Sequence, residues 1–279
     1  MPGAVTPPPA PGPLRWSDMA WPELGTTFDA HPRDVGLLPV GATEQHGPHL
    51  PTGTDTIVAT AICEAVSART GAVVLPPVAV GCSYGHGHRL PGTFSLSPEA
   101  LAAHVREMVE WAALSGLRRI LMVNAHFGNH ASLMVASDHI RLERPDLRCG
   151  VVAWWSADPE VAAETVADGE DIHANRSETS LMLAIAPDLV HLDRLLHADD
   201  PDRTGDLVFR YTAPALSTNG VTGRPSEASA ELGRRLLERT ARAISDRVER
   251  GRVEEPPLAD HSPGSPGRAA PAPAPEAVA

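Results

Sequence analysis

Apolar segments that read as buried strands alternate along this chain with segments of helical periodicity, and that alternation constrains the fold most. Residues 35–41 (VGLLPVG), 119–124 (RILMVN) and 150–155 (GVVAWW) are nearly uniform apolar runs, and 72–75 (AVVL) is a shorter one. Strands that are apolar on both faces belong in a parallel sheet covered by helices on both sides. Helical patterns are expected over 55–70, stopped by Gly71, and from the Ser97-Pro98-Glu99 start to Ser115. That start joins an N-cap hydroxyl, a proline at the first helical position and an acid in the first turn. Further helices are expected over 129–144, 178–186 and 226–250, the last ended by Gly251. The expected fold class is an α/β sandwich with a largely parallel sheet. In such sheets ligands collect beyond the carboxyl ends of the strands.

Both ends differ from this pattern. Residues 1–13 are proline-rich, and 255–279 are rich in Pro, Ala and Gly. Neither has enough large apolar side chains to offset its ordering entropy, so both are expected to be disordered tails around one domain at 14–254. The start of the chain has no basic segment followed by an apolar one, so it does not read as a secretory signal. No run reaches the roughly 18 apolar residues of a membrane span. The net charge of -12 disfavours a nucleic-acid partner. Cys63, Cys82 and Cys149 are widely spaced and odd in number, which points to reduced thiols and a cytoplasmic protein.

Thirteen histidines, several of them clustered, point to metal or acid–base chemistry. The densest group follows the first strand: Glu44, His46 and His49, then Asp55 at a helix start. If the strand extends that far, Glu44 and His46 point to the same side. Two carboxylates and an imidazole meeting there suit Zn, Mn or Fe. The alternative for any one of these residues is a solvated turn with an N-cap Asp. His126 also follows an apolar strand and opens a helix, with Gly128 allowing close backbone approach and Asn129 able to cap. A third segment holds His173, a loop residue suited to general acid–base work, and Glu178, which a helix start alone would explain. Ser177 or Thr179 is the expected cap there. The polar stretch around Ser83, Tyr84, His86 and His88 reads as a substrate-lining loop rather than a metal site, although His-x-His invites the second reading. HExxH, GxxxxGK[ST] and GxGxxG motifs are missing, so no two-histidine zinc helix or nucleotide loop is on offer.

The run Leu38-Pro39-Val40-Gly41-Ala42-Thr43-Glu44-Gln45-His46-Gly47-Pro48-His49-Leu50-Pro51, with Asp55 beyond it, resembles the signature of the creatininase family. Three more segments match in the same order: residues 90–96 (LPGTFSL), 124–129 (NAHFGN) and 178–183 (ETSLML). The resemblance spans about residues 15–250. It implies a three-layer α/β/α sandwich with a largely parallel sheet, a centre of two divalent metal ions (Zn2+ or Mn2+, with Fe2+ as a further candidate) and a homo-oligomer, often a hexamer. It implies that Glu44 and His126 hold one metal, that His46 holds the other, and that Asp55 bridges them. His173 matches the family's acid–base histidine, and Glu178 is the glutamate of its ETS motif, placed near the metals as a ligand or catalytic group. Ser83, Tyr84, His86, Phe127 and Trp155 are the expected substrate contacts.

Two positions depart from creatininase itself. Gly128 stands where that enzyme has a metal-binding glutamate, and Gly169 where a second substrate tryptophan is expected beside the one matched by Trp155. The expected function is therefore hydrolysis of a C–N bond in a small, cyclic or non-standard amide, with water activated by the metals. Trimming of a precursor peptide in mycofactocin-like maturation is the second enzymatic reading. A metal-binding scaffold without catalysis is the reading from another class.

Overall fold

The computed structural model describes residues 12–31, 34–87 and 89–258. The two expected tails lie outside the described residues, except for 12–13 and 255–258. His88 lies outside them too.

Three strands, β1 (Val35–Val40), β2 (Arg119–Asn124) and β3 (Arg148–Ala153), form a parallel sheet in that order. The helices are α1 (Trp21–Ala30), α2 (Thr54–Thr70), α3 (Pro98–Leu114), α4 (His130–Glu143), α5 (Pro159–Thr165) and α6 (Arg176–Ile185). The single turns α7 (Leu192–Leu195) and α8 (Ala213–Leu216) and the long α9 (Ala230–Val253) follow.

Side chains on a strand alternate between faces, and this alternation divides the core in two. Val35 and Leu37 of β1 pack with Ile62 and Val66 of α2, Leu181 of α6, and Leu236 and Ile244 of α9. Leu38 and Val40 face the other way, onto Phe28 of α1, Leu101 and Val105 of α3, and Leu133 of α4. Helices therefore cover both faces, as the apolar strands require. No helix among the described residues is long and apolar enough to cross a membrane.

Several local expectations are corrected. Residues 72–75 do not form a strand of their own. They run beside β1 through isolated bridges at Val74 and Val78, because Pro76 and Pro77 interrupt the ladder. The third strand starts earlier, at Arg148, and ends at Ala153, where the chain tightens into a turn at Trp154–Ser156. The cap of α6 is Asn175, whose Oδ1 accepts from the Ser177 and Glu178 amides. Ser177 and Thr179 lie inside that helix. The last helix starts at Ala230 under the Ser229 cap and continues past Gly251 to Val253. The helix α1 carries no motif and is absent from the sequence reading.

Helices α6 and α9, on the same face of the sheet, approach closely at Gly233 of α9. A Cβ there would lie 1.8 Å from the Ser180 carbonyl oxygen of α6. Gly233→Ala is expected to force these helices apart and to cost about 1–3 kcal/mol, the usual scale for overpacking. Chemical denaturation measures this. An unchanged midpoint would show that the contact can relax freely.

Candidate metal centre

Glu44, His46, Asp55, His126, His173 and Glu178 collect at the carboxyl ends of the strands. Glu44 and His46 lie in the loop after β1, which ends at Val40, so they are not strand residues as supposed. Their convergence comes from the loop itself: His46 Nδ1 is 3.2 Å from the Glu44 carbonyl oxygen. Asp55 is in the first turn of α2, where the helix dipole favours a carboxylate. His126 follows β2, and His173 and Glu178 come from the loop before α6 and from α6 itself. All six residues are buried.

Three histidines share one arrangement. A main-chain carbonyl only accepts, so the ring nitrogen facing it carries the hydrogen. His46 Nδ1 faces the Glu44 carbonyl, His126 Nε2 the Cys82 carbonyl at 3.0 Å, and His173 Nε2 the Gln45 carbonyl at 2.8 Å. Each ring therefore turns its other nitrogen, a lone pair when neutral, toward carboxylates. His46 Nε2 is 3.1 Å from Asp55 Oδ1 and 3.9 Å from Glu178 Oε2. His126 Nδ1 is 3.2 Å from Glu44 Oε1 and 3.4 Å from Asp55 Oδ2. His173 Nδ1 is 3.5 Å from Glu44 Oε1. Both carboxylate oxygens of Glu44, His46 Nε2 and Asp55 Oδ2 are buried without a hydrogen-bond partner. Lone pairs facing buried carboxylates need positive charge between them, either protons or metal ions.

Two compact donor sets emerge, Glu44–Asp55–His126 and His46–Asp55–Glu178, each with donor atoms within 4.8 Å of one another. Asp55 belongs to both. Glu44, His46 and His173 form a third set at the same limit. Buried oxygen and imidazole donors of this kind fit divalent metal ions.

Without metal, protons fill the same role. Burial alone would lower the pKa of His46, but Asp55, Glu178 and Glu44 outweigh it and raise it to about 10. His126 is likewise depressed by burial and raised by Glu44 and Asp55, to about 9. Burial pushes the Glu178 carboxyl up to about 8 despite His46 nearby. Burial also favours the neutral form of Glu44, yet His126 and His86 hold its pKa well below the usual carboxylate range. Metals must displace these protons. Affinity is therefore expected to rise with pH from about 7 to about 10, where the raised Glu178, His126 and His46 groups give up their protons. Calorimetry of zinc binding in buffers of different ionisation enthalpy reads the proton release. A flat affinity with no protons released would contradict this ligand set.

The mouth of the centre is a cavity of about 190 Å³. Ser83, His86, Phe127, His173 and Tyr211 are among its lining residues, with Asp171 on the wall. Tyr84 and Trp155, expected substrate contacts, do not line it. Tyr84 is 60% exposed, and Trp155 packs on Phe127 with ring centroids 5.6 Å apart. Asn129 stands at the N-cap position of α4, but its side chain makes no cap hydrogen bond. Its side chain accepts from the Cys82 amide and donates to the Gly41 carbonyl, tying two site loops together. Gly128 serves close approach, since a Cβ there would lie 2.3 Å from the Cys82 carbonyl oxygen and 2.5 Å from His126 Nε2. His49 points away from the centre, onto Thr179 Oγ1 at 2.8 Å. The sequence reading passed over Gln45, Asp171 and Tyr211. Gln45 was inside the matched signature, but Tyr211 had no local signal.

A family model described as creatininase, creatinine amidohydrolase, matches residues 17–248. The chain belongs to the creatininase family. The creatininase-family match covers both donor sets and the cavity. The chain is 34% identical over 240 residues to a creatinine amidohydrolase of Pseudomonas putida, covering 80% of this chain and 90% of that one. It is 36% identical over 243 residues to a mycofactocin precursor peptide peptidase of Mycobacterium ulcerans, covering 82% and 90%. A crystal structure of creatinine amidohydrolase superposes with a TM-score of 0.76 at 31% identity, covering 85% of this chain and 97% of the other. Solved creatininases include a zinc–zinc form of a mutant and a manganese form. This creatininase-family chain is thus a hydrolase of carbon–nitrogen bonds with a centre suited to divalent metals.

Proposed function

We propose that this chain hydrolyses a C–N bond in a small cyclic or non-standard amide at a centre of two divalent ions. The observation that carries the reading is the sharing of Asp55 between two buried donor sets. Glu44, Asp55 and His126 would hold one ion, and His46, Asp55 and Glu178 the other. Zinc and manganese are the first candidates, with Fe2+ the third. When bound, such ions polarise a carbonyl and lower the pKa of water.

The remaining work falls to the protein. The cavity of about 190 Å³ admits a small molecule beside these donors. Burial, then the neighbouring His86 and His46, keep His173 well below the usual histidine range and therefore neutral. A neutral His173 can take a proton at Nδ1 and return it to the departing nitrogen. The hydrogen bond from Nε2 to the Gln45 carbonyl holds the ring in that orientation.

The small cavity favours a small amide over a peptide, whereas the peptidase similarity supports precursor trimming as the second reading. Turnover of small cyclic amides, formamides and short peptides by the zinc- or manganese-loaded protein separates them. Cleavage of a small amide supports the first reading, and peptide cleavage alone supports the second. Full metal occupancy with no turnover of any of them would favour a non-catalytic scaffold. We further propose a cytoplasmic homo-oligomer in which residues 14–254 form the working domain. Exposed apolar side chains such as Leu196, Val208 and Phe209 support self-association. Light scattering reads the oligomer directly.

A further inference from the structure

His86 is the exception among the histidines of the centre. It is buried, and its Nε2 lies 3.1 Å from Glu44 Oε2, an oxygen buried without a hydrogen-bond partner. Its other nitrogen, Nδ1, faces no carbonyl. It faces the side-chain amide nitrogen of Gln45 at 3.0 Å.

The orientation of the Gln45 amide follows from its neighbours. Gln45 Oε1 accepts from the Gly47 amide at 3.0 Å, and Gln45 Nε2 donates to the Gly220 carbonyl at 3.2 Å. Flipping the amide would set oxygen against a carbonyl and nitrogen against an N–H, so this orientation is the satisfied one. Gln45 Nε2 has one hydrogen left. His173 Nε2 also lies 2.8 Å away, but its own hydrogen is committed to the Gln45 carbonyl. The remaining amide hydrogen goes to His86 Nδ1. A neutral His86 accepting at Nδ1 must carry its hydrogen on Nε2, the nitrogen beside Glu44.

We infer that His86 is a positioning residue for Glu44 and that Gln45 sets its tautomer. The geometry gives His46, His126 and His173 a free nitrogen facing the centre and gives His86 an N–H facing it. His86 therefore turns an N–H toward the outer oxygen of Glu44, 3.1 Å away, and leaves Oε1 for the ion that His126 would share. Histidine and amide partners behind a ligand carboxylate fix its direction and strengthen its hold on metal. The loop around His86, which the sequence assigns to substrate, thus serves the metal as well. Gly220 lets the Gln45 amide fit: its φ is +86°, and a Cβ there would lie 1.9 Å from Gln45 Oε1.

This inference rests on the metal-centre reading above but not on which amide is cleaved. The test is zinc affinity, read by competition with a chromophoric chelator, with melting temperature as the check on folding. His86→Leu is expected to stay folded and to bind zinc about 10–100-fold more weakly, the usual scale for such partners. His86→Gln, which keeps an N–H donor, should recover part of that loss. Gln45→Leu should weaken binding comparably. The double variant Gln45→Leu/His86→Leu should be no weaker than His86→Leu alone, because both changes break one chain of contacts. Wild-type affinity in His86→Leu would overturn the inference, as would losses in the two single variants that multiply in the double one. Outright loss of one ion in His86→Leu, not restored by excess zinc, would overturn it by making His86 a ligand. A wild-type protein that binds no zinc would remove the metal centre itself.

Discussion

Asp55→Ala is expected to strip the protein of both metal ions and to abolish turnover. Asp55 is the one residue common to the two compact donor sets, with Oδ1 3.1 Å from His46 and Oδ2 3.4 Å from His126. Removing it takes a ligand from each ion at once. It also leaves Glu44 and Glu178 as buried carboxylates facing each other's site with less positive charge to hold between them. His46→Ala should behave differently. It removes one member of the His46–Asp55–Glu178 set and leaves Glu44, Asp55 and His126 intact, so roughly one ion per chain should remain. Elemental analysis after exhaustive dialysis compares the two. Equal and full retention in both variants would show that the ligands lie elsewhere.

His173→Ala is expected to give the second large effect, a loss of roughly 10²–10⁴-fold in turnover with metal content unchanged. The argument is geometric. His173 lines the cavity, and its Nδ1 faces Glu44 Oε1 while Nε2 is held by a main-chain carbonyl. The loss should shrink for substrates with good leaving groups, which need less protonation as they depart. His173 also sits within 4.8 Å of Glu44 and His46 donor atoms, so ligation is the rival role. The two roles separate on one preparation. An acid–base residue leaves metal in place and slows turnover, whereas a ligand releases metal and responds to added ions. Unchanged turnover at full occupancy would remove His173 from the mechanism.

The layered architecture was legible because buried parallel strands leave a plain mark: residues 120–123 are apolar throughout, and the structure makes Arg119–Asn124 a strand. The Ser97 cap was equally readable, and its side chain accepts from the Ala100 amide. What escaped depends on contacts distant in sequence. Residues 72–78 look like a strand locally, yet two prolines leave them only scattered bridges to β1. Gly251 looks like a stop but continues α9, where its carbonyl takes a hydrogen bond from Arg119.

The same division holds at the centre. Glu44, His46 and Asp55 lie within one short segment, so their convergence could be anticipated, although the route is a loop rather than an extended strand. His126 could be placed because the sheet rule fixes where residues after a strand must lie. The depth of His86 could not, since it depends on Gln45 and Gly220, far away in the chain. Nor could Tyr211 or Asp171, which reach the cavity from loops with no strand or helix pattern to orient them.

The most direct measurement of the central claim is a crystal structure of the zinc-loaded protein, with anomalous data on both sides of the zinc edge. The account predicts two anomalous peaks flanking Asp55, one beside Glu44 and His126 and the other beside His46 and Glu178. No peak at Asp55, or zinc bound only at other residues, would contradict it.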